Sequence, residues 1–336
     1  MPICSGRRQW TRVLRGCFRI SEALVIGDSA RLKGDSVNAS VRLIEQVIPS
    51  TVAIQVTVPS QHHSAQLLGT ERMGSGAVVS PDGYILTVNY IVIGASQVQV
   101  SMIDNTQLEA EVVAQDFASG IAVLKISQTG FPAVPLQPST ALHAGDEVFL
   151  VASAGEENGR RVNGGGLTSV SHFDVYWEYS LERALTSTAM NPGLGGGPMF
   201  DMRGRMVGVV SLNLNEIGKF SLAIPVEHFT EHQDELLRYG RRVTRPSRAW
   251  IGMYSYTVKD HLVIAGLLPD GPGAKSGLKA GDVILAIDEQ EIADRRAFYE
   301  RLWSRPAGET VLFRVFRNNA VQSVPVVSGN VEEFFG

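Results

Sequence analysis

The feature that most constrains this chain is a long succession of short apolar and β-branched runs broken by turn residues. Residues 52–57 (VAIQVT), 76–80, 84–88, 96–102, 108–114, 121–126, 147–152, 206–212 and 220–225 read as strands. Turn signals such as Pro81-Asp82-Gly83, Gly130, Pro138 and Gly204 separate them. Short strands with such regular punctuation are joined as antiparallel neighbours, whereas a parallel crossover needs a dozen residues or more. The predicted class is mainly β, an antiparallel sandwich or barrel rather than a βαβ sheet.

A chain of 336 residues exceeds the roughly 100–200 residues of an ordinary domain. Residues 226–239 (VEHFTEHQDELLRY) read as a helix that leads into Gly240–Arg248, a basic stretch containing Pro246. That stretch is the predicted boundary. Beyond it, strands are expected at 250–256, 261–267, 282–287, 310–316 and 321–327, with a helix near 294–304 and a short helical stretch ending at Gly277. The expected organisation is a basic, amphipathic or disordered segment at 1–40, a first domain at 41–226, helix and linker at 227–248, a second domain at 249–329 and a tail at 330–336. The closing Phe334-Phe335-Gly336 is expected to be exposed, as a disordered end or a docking peptide.

Residues 1–20 carry Arg7, Arg8, Arg12, Arg15 and Arg19, with Trp10, Val13, Leu14, Cys17 and Phe18 at helical spacing. The readings are a membrane-surface anchor, a cleaved targeting segment, a frayed tail or a wrongly chosen start. The stretch lacks the uninterrupted apolar core of a secretory signal. With 44% hydrophobic and 19% charged residues the chain can fill sizeable cores, which argues against disorder. A net charge of −4 gives no whole-chain signal for nucleic acid. Cys4 and Cys17 are the only cysteines, so a cysteine-built zinc site is excluded. The pair His62-His63 would need at least one more ligand to hold a metal; no cofactor and no metal are expected.

Three segments are placed where chemistry belongs. Residues 74–95 (GSGAVVSPDGYILTVNYIVIGA) read as a hairpin that leaves the sheet at Asn89-Tyr90. Residues 116–126 (DFASGIAVLKI) read as a turn and a strand, and 186–200 (TSTAMNPGLGGGPMF) as a glycine-dense loop whose N–H groups can approach a ligand closely. In order and spacing these segments resemble the HtrA (Deg) family of trypsin-like serine proteases. The resemblance covers about residues 42–330 and implies a trypsin-like double antiparallel β-barrel followed by a small α+β PDZ domain. The family places its histidine in a segment like ILTNxHVV, its aspartate in DxxTDLAVLK and its serine in NPGNSGGPL. The corresponding residues here are Tyr90, Gly120 and Gly195.

A serine protease needs a hydroxyl nucleophile, an imidazole base and a carboxylate that holds the imidazole. Gly195 offers no nucleophile, Gly120 no carboxylate, and a phenol with an ordinary pKa of about 10 is a poor base. Losing such a triad costs on the order of 10⁶ in turnover. What the resemblance leaves in the cleft is an oxyanion nest at Gly193 and Gly195. Ser187 and Thr188 are expected as cleft-wall or core hydroxyls, and Lys219 as a residue that merely shares a sheet face with Ser221.

In the second unit, LVIAGLLPDGPGAKSGL (262–278) and GLKAGDVILAI (277–287) resemble the PDZ domain of HtrA proteins. Such a domain adds an extended peptide to a sheet edge and captures its terminal carboxylate on backbone N–H groups. The resemblance places that nest at Trp250-Ile251-Gly252-Met253 and the facing groove near Arg295, Phe298, Tyr299 and Leu302, with Phe298 and Leu302 as peptide-binding residues. The expectation is a catalytically inactive HtrA-like homologue, not an enzyme, acting as a peptide-binding scaffold or regulator. The alternatives are an active serine-type endopeptidase with displaced catalytic groups and a metal- or anion-binding module. Expected partners are peptides or protein C-termini and an active HtrA relative. A homo-trimer or mixed oligomer and a place in the cell envelope are implied by the resemblance alone.

Overall fold

The computed structural model describes residues 35–155, 159–214 and 218–336. Of the segment expected at 1–40, residues 1–34, with both cysteines, lie outside the described residues, and 35–40 belong to the first helix. Two compact units divide the chain. One holds most of the residues up to Arg242; the other holds Phe117–Ser119, His172–Glu182 and Val243–Gly336.

The first unit starts with helix α1 (Asp35–Val47). Strand β1 (Thr51–Thr57) follows, then α2 (His63–Leu68), β2 (Glu71–Val78), β3 (Tyr84–Val88) and the single turn α3 (Asn89–Val92). Strands β4 (Gln97–Ser101), β5 (Gln107–Asp116) and β6 (Ile121–Ile126) complete a closed barrel in the order β1-β2-β3-β6-β5-β4. A second closed barrel, β10-β11-β12-β9-β8-β7, is built from β7 (Glu147–Ser153), β8 (Arg160–Val175), β9 (Tyr179–Ser187), β10 (Pro198–Asp201), β11 (Met206–Asn213) and β12 (Ser221–Pro225). Closure removes the unpaired strand edges that a sheet of such short strands would otherwise expose.

Alternation sets the apolar face of β1, where Val52, Ile54 and Val56 are buried, whereas in β3 the adjacent Ile85 and Leu86 are both buried because that strand is covered on both faces. Val148, Leu150, Leu167, Leu185, Met199, Val207 and Val210 form the corresponding core of the second barrel. The sequence reading missed β8, β9 and β10. The one helix expected over 226–239 is two short ones, α4 (Glu227–Thr230) and α5 (Gln233–Tyr239), with Gly240 closing the second in the left-handed region.

Polar side chains join the barrels. The Ser75 hydroxyl on β2 donates to the Leu194 carbonyl at 2.8 Å and accepts the Ser153 N–H at 2.8 Å. Arg160 on β8 donates to the carbonyls of Thr51 at 2.7 Å and Ser101 at 2.9 Å. Burial lowers its pKa to about 10, which leaves it charged at neutral pH.

The second unit is mainly an antiparallel sheet in the order β13-β14-β15-β17-β18. Its strands are β13 (Met253–Val258), β14 (His261–Leu267), β15 (Val283–Ile287), β17 (Thr310–Arg317) and β18 (Ala320–Val327), with the two-residue β16 (Gln290–Glu291) beside β15. Helices α6 (Pro272–Ser276), α7 (Arg295–Trp303) and α8 (Val331–Phe335) accompany them. Asp294 caps α7 by accepting the Ala297 N–H. The core gathers Ile251, Leu262, Ile264, Ile284, Phe298, Leu302, Phe313 and Val315. The closing residues are helical and packed: the Phe334 ring lies 4.9 Å from the Trp250 ring. This corrects the exposure expected of Phe334 and Phe335, which are half-buried, while Gly336 is exposed. No helix among the described residues is long and apolar enough to cross a membrane.

Ser75→Ala removes the acceptor of a buried N–H and the donor to Leu194 together. It is expected to lower stability by about 1–3 kcal/mol, read as a fall in the urea midpoint without a change in slope.

Candidate functional site

Tyr90, Gly120 and Gly195 are brought together. Tyr90 sits in α3, where the chain leaves β3, and the preceding Asn89 N–H donates to the Gly120 carbonyl at 2.8 Å. Gly120 has φ +82°, a left-handed conformation that favours glycine. The Tyr90 hydroxyl donates to the Ser211 carbonyl at 2.9 Å. It also fills the space beside Gly195: a Cβ built there would collide with the Tyr90 oxygen and approach the Ser211 carbonyl to 3.1 Å. Ring and glycine are complementary in shape.

The glycine-dense loop is held by the barrels' own backbone. The Gly195 carbonyl accepts the Ser75 N–H at 2.6 Å, Leu194 N–H donates to Ser153 O at 3.1 Å, and Gly196 N–H donates to Val210 O at 2.7 Å. The oxyanion nest expected at Gly193 and Gly195 is altered at its first member, because the Gly193 N–H donates to Asn191 Oδ1 at 3.3 Å. A shallow depression of about 140 Å³ lies beside the loop, lined by Gln55, Met73, Ser153 and Leu194 among others.

Neighbouring hydroxyls serve the backbone. Ser187 is fully buried and donates to the Gly166 carbonyl at 3.2 Å, and Thr188 donates to the same carbonyl at 3.3 Å. Ser221 accepts the Asn191 N–H at 2.6 Å and donates to Asn213 Oδ1 at 2.7 Å, while Lys219 is exposed. His62 caps α2, accepting the Ser64 N–H at 3.1 Å. Among the described residues no group of three or more His, Cys, Asp or Glu side chains is arranged to hold a metal.

Within the second unit, the segment Trp250–Met253, where the sequence places the nest, lines up its amides on the side chain of Glu178. Gly252 has φ +74°. The Ile251 N–H donates to Glu178 Oε2 at 3.0 Å and the Met253 N–H to Glu178 Oε1 at 2.7 Å, and the Gly252 N–H also acts on this carboxylate. Burial pushes the Glu178 pKa up to about 7, against the opposing pull of these three amides and of Arg248. The phenols of Tyr299 and Tyr254 also face this carboxylate, and burial raises both, Tyr254 to about 12.

The groove wall differs from the expectation. Phe298 and Leu302, expected to touch peptide, are 0% exposed and belong to the sheet core. Tyr299 is the α7 residue that reaches across, with its hydroxyl donating to the Val175 carbonyl at 2.5 Å and accepting the Glu178 N–H at 2.9 Å. Arg295 pairs with Asp174 at 2.9 Å. The facing ends of β8 and β9 also gather a hydroxyl, an imidazole and a carboxylate. Ser180 Oγ lies 2.9 Å from His172 Nε2, and His172 Nδ1 lies 3.9 Å from Asp174. The alternation His172, Asp174 on one strand and Ser180 on the next was the only sequence signal for this group, and it is a weak one.

Comparisons with known proteins agree with this geometry. Residues 74–209 match the model of the trypsin-like peptidase domain and residues 249–327 that of the PDZ domain. A probable periplasmic serine endoprotease, DegP-like, of Halomonas elongata is 32% identical over 290 residues, covering 81% of this chain and 58% of the relative. The namesake from Pseudomonas putida strain W619 is 31% identical, covering 77% and 56%. The chain thus spans less than two thirds of the length of these relatives. Among solved structures, the HtrA-type protease AlgW with a decapeptide aligns with a TM-score of 0.53 at 24% identity, over 87% of this chain and 98% of that one. A serine endoprotease from Yersinia pestis aligns with a TM-score of 0.54 at 24% identity, over 89% and 100%. At that identity the two structures speak for the fold.

Fold and site define a mainly β, trypsin-like double barrel joined to a PDZ domain. The chain accordingly carries a trypsin-like peptidase domain and a PDZ domain, and over most of its length it is similar to HtrA-type, DegP-like proteins. The expectation that it is not an enzyme is corrected here. That expectation weighed three positions of one cleft, whereas the relatives that match most of the chain are named serine endoproteases, which points to an enzyme.

Two outcomes follow from the geometry. Gly195→Ala is expected to cost about 1–3 kcal/mol by overpacking against Tyr90. In a Tyr90→Ala background most of that cost should vanish, so a double-mutant cycle in urea reports coupling of about 0.5–3 kcal/mol. For Glu178, the folded chain holds the proton more tightly than the unfolded chain. Its contribution to stability is therefore full below the ordinary glutamate value of 4.5 and is lost as the pH rises through about 7. Between pH 5 and 8 the urea midpoint should fall more steeply in the wild type than in Glu178→Gln.

Proposed function

We propose that the chain is a peptide-handling HtrA-type protein of the cell envelope, whose PDZ groove captures extended peptides or protein C-termini. The observation that carries this is the run of amides from Ile251 to Met253, which already holds a carboxylate with two separate oxygen contacts. Consecutive N–H groups converging around a left-handed glycine suit a terminal carboxylate, and the adjoining sheet edge offers main-chain pairing. The HtrA-type protease AlgW, similar in fold, has been solved with peptides. The envelope location draws on the periplasmic naming of the relatives. Assembly as a trimer, or with an HtrA relative, belongs to the same proposal.

The second reading is a serine endopeptidase with displaced catalytic groups, favoured by the names of the relatives and by the cluster of Ser180, His172 and Asp174. Here His172 Nε2 would take the Ser180 proton as the hydroxyl oxygen attacks a peptide carbonyl, and later return it to the leaving amine. Asp174 lies close enough to stabilise the imidazolium, though at 3.9 Å it does not hold the ring by a hydrogen bond.

Labelled decapeptides with an apolar last residue should bind the full chain, and amidation of their carboxyl end should weaken binding about tenfold or more. Gly252→Val, strained at positive φ and crowded by Trp250 at 3.1 Å, should weaken it as well. Equal binding of free and amidated peptides would overturn the carboxylate reading. For the second reading, cleavage of labelled casein by the repurified protein should disappear in Ser180→Ala and His172→Ala. Undiminished cleavage in both would remove these residues from the chemistry.

A further inference from the structure

The Ile251–Met253 amides are already engaged by this chain's own turn between β8 and β9. We propose that residues 175–178 act as an internal ligand of the PDZ groove, so that an incoming peptide must first displace the Glu178 carboxylate. This rests on the reading of the groove as a peptide site, and deepens it into a competition.

The turn reproduces the contacts a bound peptide end would make. Glu178 supplies a carboxylate whose two oxygens take different amides, Ile251 and Met253. Tyr176 supplies main-chain pairing: its carbonyl accepts the Ser255 N–H at 2.9 Å. Ser255 belongs to β13, which is the end strand of its sheet and therefore has a side open for strand addition. From the opposite wall, the Tyr299 hydroxyl takes both the Val175 carbonyl and the Glu178 N–H. Arg295 on the same helix secures the turn at Asp174. Nest, edge strand and helix are thus all occupied by one four-residue stretch.

The turn's own conformation suits a displaceable occupant. Glu178 has φ +56°, a left-handed conformation that is strained for a residue with a Cβ. Its side chain is 8% exposed, so a glutamate has been withdrawn from water to reach the amides. A peptide's terminal carboxylate would make the same hydrogen bonds with no such backbone strain. Release of the turn would return Glu178 to solvent and relax φ. An occupied groove lowers apparent affinity in proportion to the fraction of molecules in which it is open.

The test uses the full chain and two readouts. Without any peptide, amide hydrogen exchange at Ile251, Gly252 and Met253 is compared in wild type, Glu178→Gln, Glu178→Ala and Tyr299→Phe. Faster exchange at these three amides in Glu178→Ala, by about tenfold or more, supports the proposal; unchanged exchange overturns it. Fluorescence anisotropy then follows a panel of labelled decapeptides ending in Val, Leu, Phe or Tyr, each as free acid and as amide. Tighter binding of a free-acid peptide to Glu178→Ala than to wild type, by about tenfold or more and with its amide unaffected, is the expected result. Tyr299→Phe, which keeps the ring and loses both contacts to the turn, should shift affinity the same way and serves if Glu178→Ala fails to fold. Equal affinity of one peptide for wild type and both variants overturns the internal ligand and leaves the peptide-binding reading standing. No binding to any variant overturns both.

Discussion

The two barrels meet through buried polar contacts, and the placement of the cleft depends on them. Ser75 gives its N–H to Gly195 and its hydroxyl to Leu194, and accepts the Ser153 N–H, so one residue of the first barrel positions a loop and a strand of the second. Arg160 returns the connection, from β8 to the carbonyls of Thr51 and Ser101. A guanidinium with both carbonyls in reach is compensated, whereas the same charge without them would be buried and unpaired. The glycine-dense loop has little freedom to choose another path, since its amides and carbonyls are spoken for by Ser75, Ser153 and Val210.

Within that fixed loop, Tyr90 and Gly195 are a matched pair. The phenol uses the volume a side chain at 195 would need, and its hydroxyl satisfies a carbonyl of β11. Apart from that pair, Ser180 on β9 lies 2.9 Å from His172 on β8, with Asp174 on the same strand 3.9 Å from the imidazole. In the second unit the chemistry is simpler: a row of amides, a carboxylate to fill it, and a tyrosine that fastens the turn bearing the carboxylate.

Alternation and turn residues made most strands legible, because residues such as Val52, Ile54 and Val56 must face one way. The proximity of Tyr90, Gly120 and Gly195 was legible from segment order, and the left-handed turn at Gly252 from its glycine. Strand β8 was hidden because Asn163-Gly164-Gly165-Gly166 reads as a loop. Its glycines are tolerated by close approach, as a Cβ on Gly165 would collide with the Ala189 backbone. The groove expected near Arg295, Phe298, Tyr299 and Leu302 did not separate wall from core, because adjacent residues of one short helix carry no pattern that does so. Only packing shows that Phe298 faces the core while the Tyr299 hydroxyl finds Val175 and Glu178. Glu178 had no local signal at all, since its partners lie more than seventy residues along the chain.

Trp250 exchanges two main-chain hydrogen bonds with Gly329, at 3.0 and 2.8 Å, and its ring lies under Phe334 and Phe335. The segment that holds the Glu178 carboxylate is thereby spliced to α8. Loosening Phe334 and Phe335 would therefore loosen the segment whose amides hold Glu178, giving the molecule a remote handle on that pocket.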